Sequence, residues 1–576
     1  MTHVAIVGAG PAGLMVFNRL VAIGDNHVEI DIFESSSIAG SGMPYSFVGA
    51  LNEHVTNVSA DEIPELAKML DTWILQLPTE TLEEFGIERE KFHEKKVVPR
   101  LLFGRYLAAQ FKTLLAQAEE CGIKVALHMN TTITDVVDMP DRNCVSLRTQ
   151  TTRMNDFDHV ILCTGHHWQK VHELTTEGYF DSPYPPSKLA RTFNHKVVVR
   201  GSSLTAIDAI KTMAKNNGSF YWENDRYVFK RHADSPKFFI EMHSRDGLLP
   251  SARVHMEQPH VDTKSLIAAD KLAENMGRND GFLELDFLFE QGFKLPLAET
   301  SPKFYELIRE MSIEQFVDEM MTYRESASAF DLLKQEYIES LKSIRREQAV
   351  PWKEMLASLS FAMNYPAKHL SAEDMLRLRE HLMPLISVVI AFVPQSSCET
   401  LLALYDAGCL DLISDGQGGE VEINDKKQIG YKTKDSSAAE KQMICETFID
   451  CIGQKHFNID DFPFKSLIRD GSVCGARLKF KSSQKAQRLL DEGDKEIDRE
   501  GGEFYLRVPG LAISDAFQVI GKTGQPNQRI YLMAVPYIGG FNPDYSGLDF
   551  CEQASKRIVD DIFARTQLPG SSSRLR

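Results

Sequence analysis

Six residues, Gly8-Ala9-Gly10-Pro11-Ala12-Gly13, constrain the fold more than any others because they directly follow the apolar run His3 to Val7. A strand that runs into G-x-G-x-x-G turns tightly at the first glycine. It admits a close backbone approach at the second and packs its helix against the strand at the third. Pro11 and Ala12 open that helix, Pro11 where its missing N–H costs nothing. Leu14, Phe17 and Val21 recur on one helical face, and Gly24-Asp25-Asn26 ends it. A second strand, Val28 to Phe33, leads into Glu34, 21 positions beyond Gly13. A carboxylate there accepts from the ribose 2′-hydroxyl of a dinucleotide and repels a 2′-phosphate. The site therefore suits FAD or NAD better than NADP.

The sequence beyond this motif favours FAD. A helix from Gly104 to Cys121 leads to three β-like runs, "IKVALH", "TTITDVV" and "CVSLRTQ". The apolar strand "DFDHVILCTGHHW" then ends in Thr164-Gly165. This layout resembles the two-dinucleotide-binding flavoproteins related to glutathione reductase and the flavin monooxygenases, whose N-terminal site holds FAD. The stretches "GSGMPYS", "LNEHVTNVSADEIP", "VPRLLFGRYLAAQF", "CTGHHW", "GSSLTAIDA", "SRDGLLP" and "VPWKEML" recur in order over most of the chain. Together they resemble a poorly characterised group of bacterial FAD/NAD(P)-binding proteins. That resemblance implies FAD binding and oxidoreductase activity, and it implies no substrate. It also places His54 and Asn57 at the flavin edge and Arg100 where it would hold a pyrophosphate or an anionic substrate.

A second strand–turn–helix lies in "VVVRGSSLTAIDAI". Gly201 makes the turn, Ser202 comes next, and Ala206 takes the third-glycine position, which the fingerprint tolerates. Ser203 stands where the second glycine belongs; its Cβ crowds a pyrophosphate, and its hydroxyl is able to donate to one. The next strand ends in Ser244-Arg245 rather than an acid. A guanidinium fork there suits a 2′-phosphate. A working site would thus prefer NADPH, the alternative being a solvated arginine on a half kept as scaffold.

The expected architecture is α/β: an FAD-binding Rossmann-like domain (1-190 and 440-576), a degenerate NAD(P)-binding Rossmann-like half (191-254 and 401-439), and a large helical insertion (255-400) that caps the cleft. Methionines 311, 320, 321, 355 and 363 in the insertion read as adaptable core. "ETFIDCIGQ" repeats the strand-plus-glycine exit of Cys163-Thr164-Gly165. The charged stretch Lys481 to Glu503 reads as a solvated loop or helix. Near the C-terminus Gly539 and Gly540 would admit the flavin, with Asp544 or Asp549 replacing the Gly-Asp usual in the resembling proteins.

A formal charge of −17 leaves no positive field to collect nucleic acid. Nine cysteines without a CxxC pair suit a reducing compartment and offer no zinc spacing. The first strand leaves no room for a leader, and the longest apolar run, Leu385 to Val393, is far short of the ~18 residues of a membrane span. The expectation is a cytoplasmic protein with a small-molecule substrate, no nucleic-acid or membrane partner, and an oligomeric state left open. His166 and His167, just beyond the strand exit, are candidates for proton transfer near neutral pH, as is His54. The leading function is an FAD-dependent oxidoreductase, NADPH-reduced and monooxygenase-like. The alternatives are a nicotinamide-independent flavin oxidase or dehydrogenase, and a non-catalytic flavin-binding sensor or interaction protein.

Overall fold

The structure, a computed structural model, describes residues 1–150, 152–257, 267–416, 418–434, 440–454, 457–541 and 547–566. Its architecture is α/β, with two parallel sheets built on the same plan. In the first, the strand Thr2–Val7 lies between Val28–Phe33 and His159–Leu162, parallel to both. Lys124–His128 extends the sheet on one side and Pro526–Leu532 on the other. Val4, Ala5 and Ile6 are fully buried because helices cover both faces of a parallel sheet. The helix Pro11–Ile23 packs against the helix Arg100–Glu120 and the C-terminal helix Leu548–Thr566. The helix expected from Gly104 begins one turn earlier, at Arg100, directly after Pro99.

The second sheet repeats this order around Lys196–Arg200, which pairs in parallel with Phe239–Ser244 and Thr447–Asp450. Leu410–Ser414 extends it beyond Phe239–Ser244. Each unit returns to its centre through a three-stranded antiparallel meander. These are Asp135–Met139, Cys144–Arg148 and Arg153–Phe157 in the first unit, and Glu420–Ile423, Ile429–Lys434 and Glu440–Cys445 in the second. The helix Gln395–Asp406 contributes Cys398, Leu401 and Leu404 to the core of the second sheet. It holds the place that Arg100–Glu120 holds in the first.

Inserted in the second unit between Phe239–Ser244 and Gln395–Asp406, helices from Ala269–Arg278 to Met383–Val389 form a middle region whose core is continuous with that of the first sheet. Met355 and Met363 are buried in this core, and Met311, Met320 and Met321 are partly buried against it. The charged stretch after Lys481 does more than float in solvent. After the helix Ser483–Asp491, Ile497–Glu500 pairs antiparallel with Glu503–Leu511. Ile497 is its single buried apolar anchor, too sparse a signal for a strand to be read from periodicity. Among the described residues no helix is long and apolar enough to cross a membrane, and no cluster of three or more His, Cys, Asp or Glu is placed to hold a metal.

Candidate functional site

The two turns are geometrically the same device. Gly8 N–H donates to the Phe33 carbonyl (2.8 Å) and Cys163 N–H to Val7 (2.8 Å); Gly201 N–H donates to His243 (2.7 Å) and Cys451 N–H to Arg200 (2.7 Å). Gly8 and Gly201 have φ of 103° and 116°. A Cβ on Gly8 would lie 2.5 Å from the Cys163 carbonyl oxygen, and one on Gly201 2.6 Å from that of Cys451. Both positions therefore demand glycine twice over, by dihedral and by space. Ser203 also adopts the backbone of its counterpart: φ −91°, ψ −169°, against −73° and −168° at Gly10.

At the first turn, Gly13 lies so near the strand that a Cβ would sit 2.0 Å from the Gly8 carbonyl oxygen. Gly10 is approached by the loop Gly40 to Gly42: Gly40 N–H donates to Ala9 (2.7 Å), and a Cβ on Gly10 would meet the Gly42 Cα at 3.3 Å. The close approach at Gly10 is thus made in part by the chain itself. The helix beginning at Pro11 has no acid in its first turn, so its N–H groups face an incoming anion unopposed. Glu34 is oriented by Ala9 N–H on Oε2 (2.9 Å) and by Ser36 N–H on Oε1 (2.8 Å). A carboxylate has about four acceptor positions, so capacity remains for ribose hydroxyls. These residues fit the adenosine diphosphate portion of FAD.

At the second turn, Ser202 Oγ donates to the Leu248 carbonyl (2.7 Å). The Ser203 side chain is exposed and does not cap the helix Leu204–Asn217, whose first turn also lacks an acid. Ser244 occupies the position that Glu34 holds in the first unit, since each directly follows the residue whose carbonyl accepts from the turn glycine. Arg245 is exposed beside it. Its carbonyl is pinned by Ser414 Oγ (2.8 Å) and Gly416 N–H (3.0 Å). Behind this loop lies a buried network in which His243 Nδ1 contacts Asp415 Oδ1 (2.8 Å) and Tyr431 Oη donates to Asp415 Oδ2 (2.5 Å).

The two strand exits, Cys163-Thr164-Gly165 and Cys451-Ile452-Gly453, are joined side by side. His167 N–H donates to Gln454 Oε1, and Gln454 Nε2 donates back to the His167 carbonyl, both at 2.9 Å. Space is open around Gly165 and Gly453. His166 Nδ1 is enclosed without a hydrogen-bond partner, and burial lowers the pKa of the ring against the opposing effect of Gln454. Trp168 stands 5.6 Å from His166 and 4.9 Å from Tyr184, centroid to centroid.

His54 and Arg100 lie elsewhere, between the two units. His54 is fully buried. Its Nδ1 accepts from Leu51 N–H (3.1 Å), so Nε2 carries the proton and faces the Asp208 carbonyl (3.1 Å) and Thr212 Oγ1 (3.0 Å). Both ring nitrogens are engaged, which leaves neither for proton transfer in this arrangement. Arg100 donates from Nε to the Val55 carbonyl (3.0 Å) and pairs through NH1 with Asp208. Its contacts are thus with protein groups of both units. Asn57 offers its carbonyl to Arg253 NH1 (2.5 Å). A Cβ on Gly540 would lie 2.0 Å from the Pro509 carbonyl oxygen, so strand packing demands this glycine. Gly539 is half-buried in the turn before it. Asp544 lies outside the described residues, and Asp549 is in the first turn of the C-terminal helix.

Burial lowers the His54 pKa below its ordinary 6.5; Arg100 and Lys211 lower it further, while Asp208 and Glu53 oppose them. The unfolded chain therefore takes up this proton first, and stability falls as pH drops from about 6.5 through the folded value. Chemical denaturation at about pH 7 and pH 5 should show a larger acid loss for the wild type than for His54→Gln. Equal losses would contradict the neutral, two-bonded imidazole.

Two family models match parts of the chain. Residues 5–167 match the family model described as FAD-NAD(P)-binding, and residues 268–390 match that of the YdhS-like middle domain. The chain is 28% identical over 578 residues to the uncharacterised protein YdhS of Escherichia coli strain K12, covering 100% of this chain and 99% of that protein. Among solved structures, it is similar to FAD-bound DfoA, the cadaverine monooxygenase of the desferrioxamine pathway in Erwinia amylovora. The TM-score is 0.43 at 10% identity, over 99% of this chain and 96% of that one. Ornithine hydroxylase PvdA of Pseudomonas aeruginosa gives a TM-score of 0.46 at 9% identity, over 98% and 99%. The chain carries an FAD/NAD(P)-binding domain and a YdhS-like middle domain.

Proposed function

We propose that this FAD/NAD(P)-binding chain is an FAD-dependent oxidoreductase reduced by NADPH, with molecular oxygen as acceptor and a small organic molecule as the substrate hydroxylated. The observation that supports it best is the repeated turn. The first copy ends its second strand in an acid, Glu34, and the second copy in Ser244 followed by exposed Arg245. One fold thus presents an acceptor for a ribose hydroxyl at one site and a fork for a phosphate at the other.

In this reading Gly8 to Gly13 and the helix N-terminus hold the FAD diphosphate, and Glu34 holds its adenosine ribose. Gly201 to Ser203 hold the nicotinamide diphosphate, and Arg245 pairs with the 2′-phosphate. The bound flavin supplies two-electron acceptance from NADPH and reactivity toward oxygen. The chain contributes binding, orientation and proton handling at the joined exits. There His166 has an enclosed nitrogen without a hydrogen-bond partner, and burial lowers the pKa of its ring, which favours the neutral form that a proton acceptor needs. Stoichiometrically, NADPH, a proton, oxygen and substrate yield NADP⁺, water and hydroxylated product.

Purified protein should be yellow, and anaerobic mixing with NADPH should bleach the flavin at least about tenfold faster than NADH at equal subsaturating concentration, the ratio one charge-assisted contact provides. With oxygen present, NADPH oxidation should consume dissolved oxygen. A flavin left unbleached by either nucleotide would end the nicotinamide reading. Bleaching without oxygen consumption would end the monooxygenase one.

A further inference from the structure

Besides the joined exits at His167 and Gln454 and the Arg253 bond to the Asn57 carbonyl, a set of contacts between the two dinucleotide-binding units converges on one face of one helix. Asp208, Thr212 and Lys215 of the helix Leu204–Asn217 are spaced i, i+4 and i+7, so they form a single stripe. Three residues of the FAD unit meet that stripe. Arg100 pairs with Asp208. His54 Nε2–H donates toward the Asp208 carbonyl and Thr212 Oγ1. Thr212 Oγ1 in turn donates to Glu53 Oε1 (2.9 Å), and Lys215 Nζ lies 3.3 Å from Glu53 Oε2. The donors and acceptors run in one consistent order, from Leu51 N–H through His54 and Thr212 to Glu53. Nothing in the relay needs an extra proton.

This stripe lies close to the proposed nicotinamide site. Asp208 is five residues beyond Ser203, which at helical rise is about 7.5 Å from the N-terminal N–H groups. Burial makes the Asp208 and Thr212 part of the stripe rigid as well as near, while Lys215 at its far end is exposed. Asp208 and His54 are 6% and 0% exposed, and Lys211 beside them is held by Ser397 Oγ at 3.3 Å, with burial pulling its pKa down to about 8. Hydride transfer is steeply sensitive to placement: a shift of about 1 Å costs on the order of 100-fold in rate.

We propose that Glu53, His54 and Arg100 form an inter-unit clasp on Asp208, Thr212 and Lys215. The clasp fixes the nicotinamide-binding helix relative to the flavin, which makes these residues positioning residues for hydride transfer. The proposal rests on the NADPH reading above and assigns no contact between these side chains and either cofactor.

The test uses the FAD-loaded full chain and anaerobic rapid mixing with NADPH. Asp208→Asn with Thr212→Val should lower the limiting rate of flavin reduction about tenfold or more, with the NADPH Kd changed less than about twofold and the flavin spectrum retained. Thr212→Val alone, close to isosteric, should show a smaller loss of the same kind. His54→Gln places an amide donor near the Nε2 position and should stay within about threefold of wild type, whereas His54→Ala should fall with the double variant. An unchanged limiting rate, or a loss carried by Kd, would overturn the proposal. If NADPH does not reduce the wild type, the nicotinamide reading fails by itself, and backbone hydrogen exchange decides the clasp. Faster exchange over residues 204–217 in the double variant would support it; unchanged exchange would refute it.

Discussion

Gly13→Ala is expected to yield a chain that keeps little or no flavin through gel filtration. The alanine Cβ would lie 2.0 Å from the Gly8 carbonyl oxygen, far inside contact distance, and both atoms belong to rigid backbone. Neither can rotate away, so the helix Pro11–Ile23 must shift off the strand Thr2–Val7. Overpacking costs about 1–3 kcal/mol, toward the upper end where both atoms are backbone, and here it falls at the proposed diphosphate site. Flavin occupancy, read from the ratio of visible to ultraviolet absorbance, should fall at least about tenfold, since each 1.4 kcal/mol is worth one decade. The second unit supplies the control. Ala206 stands at the matching position, fully buried without strain on its helix. Ala206→Gly should cost only about 1 kcal/mol of stability and leave flavin content unchanged. Full flavin retention in Gly13→Ala would show that the first turn is not the cofactor site.

Arg245→Ala is expected to raise the Kd for NADPH between about tenfold and 100-fold, the range spanned by a charge-assisted hydrogen-bonded contact of about 1.5–3 kcal/mol. The Kd for NADH should change by less than about twofold, because that nucleotide has no 2′-phosphate. The arginine is exposed and its loop is pinned through its own backbone by Ser414 and Gly416, so removing the side chain should leave the turn intact. A complementary change tests the same geometry from the other side. Ser244→Glu puts a carboxylate where Glu34 stands in the first unit and should shift preference toward NADH. Equal effects of Arg245→Ala on both nucleotides would remove the phosphate contact.

Much of the geometry of the first turn is legible because it is local. The interval from His3 to Glu34 contains strand, turn, helix, strand and acid in order, and the structure pairs Thr2–Val7 with Val28–Phe33 in register. The resemblance of the exits at Cys163 and Cys451 is also legible, and each donates its N–H to the carbonyl of the residue before a turn glycine, Val7 or Arg200. The clasp is not. Glu53 and His54 are separated from Thr212 by more than 150 residues, and each of these polar residues taken alone reads as a surface group or a ligand. His54 in particular invites a catalytic role until its two nitrogens are seen to be used within the protein. Gly540 similarly reads as a place for a flavin to approach, whereas strand packing against Pro509 accounts for it.

What the amino-acid order determined by itself is the pair of glycine-led turns, because the positive φ at Gly8 and Gly201 is a local demand that glycine meets without steric cost. The difference between an acid and an arginine after the second strand is likewise written in the order of residues. Only the tertiary structure decided how the two units face each other, which histidine nitrogens remain free, and which glycines serve packing. Those outcomes depend on burial and on partners distant in the chain. A hydrogen bond closed across more than 150 residues leaves no periodicity in the segments that make it.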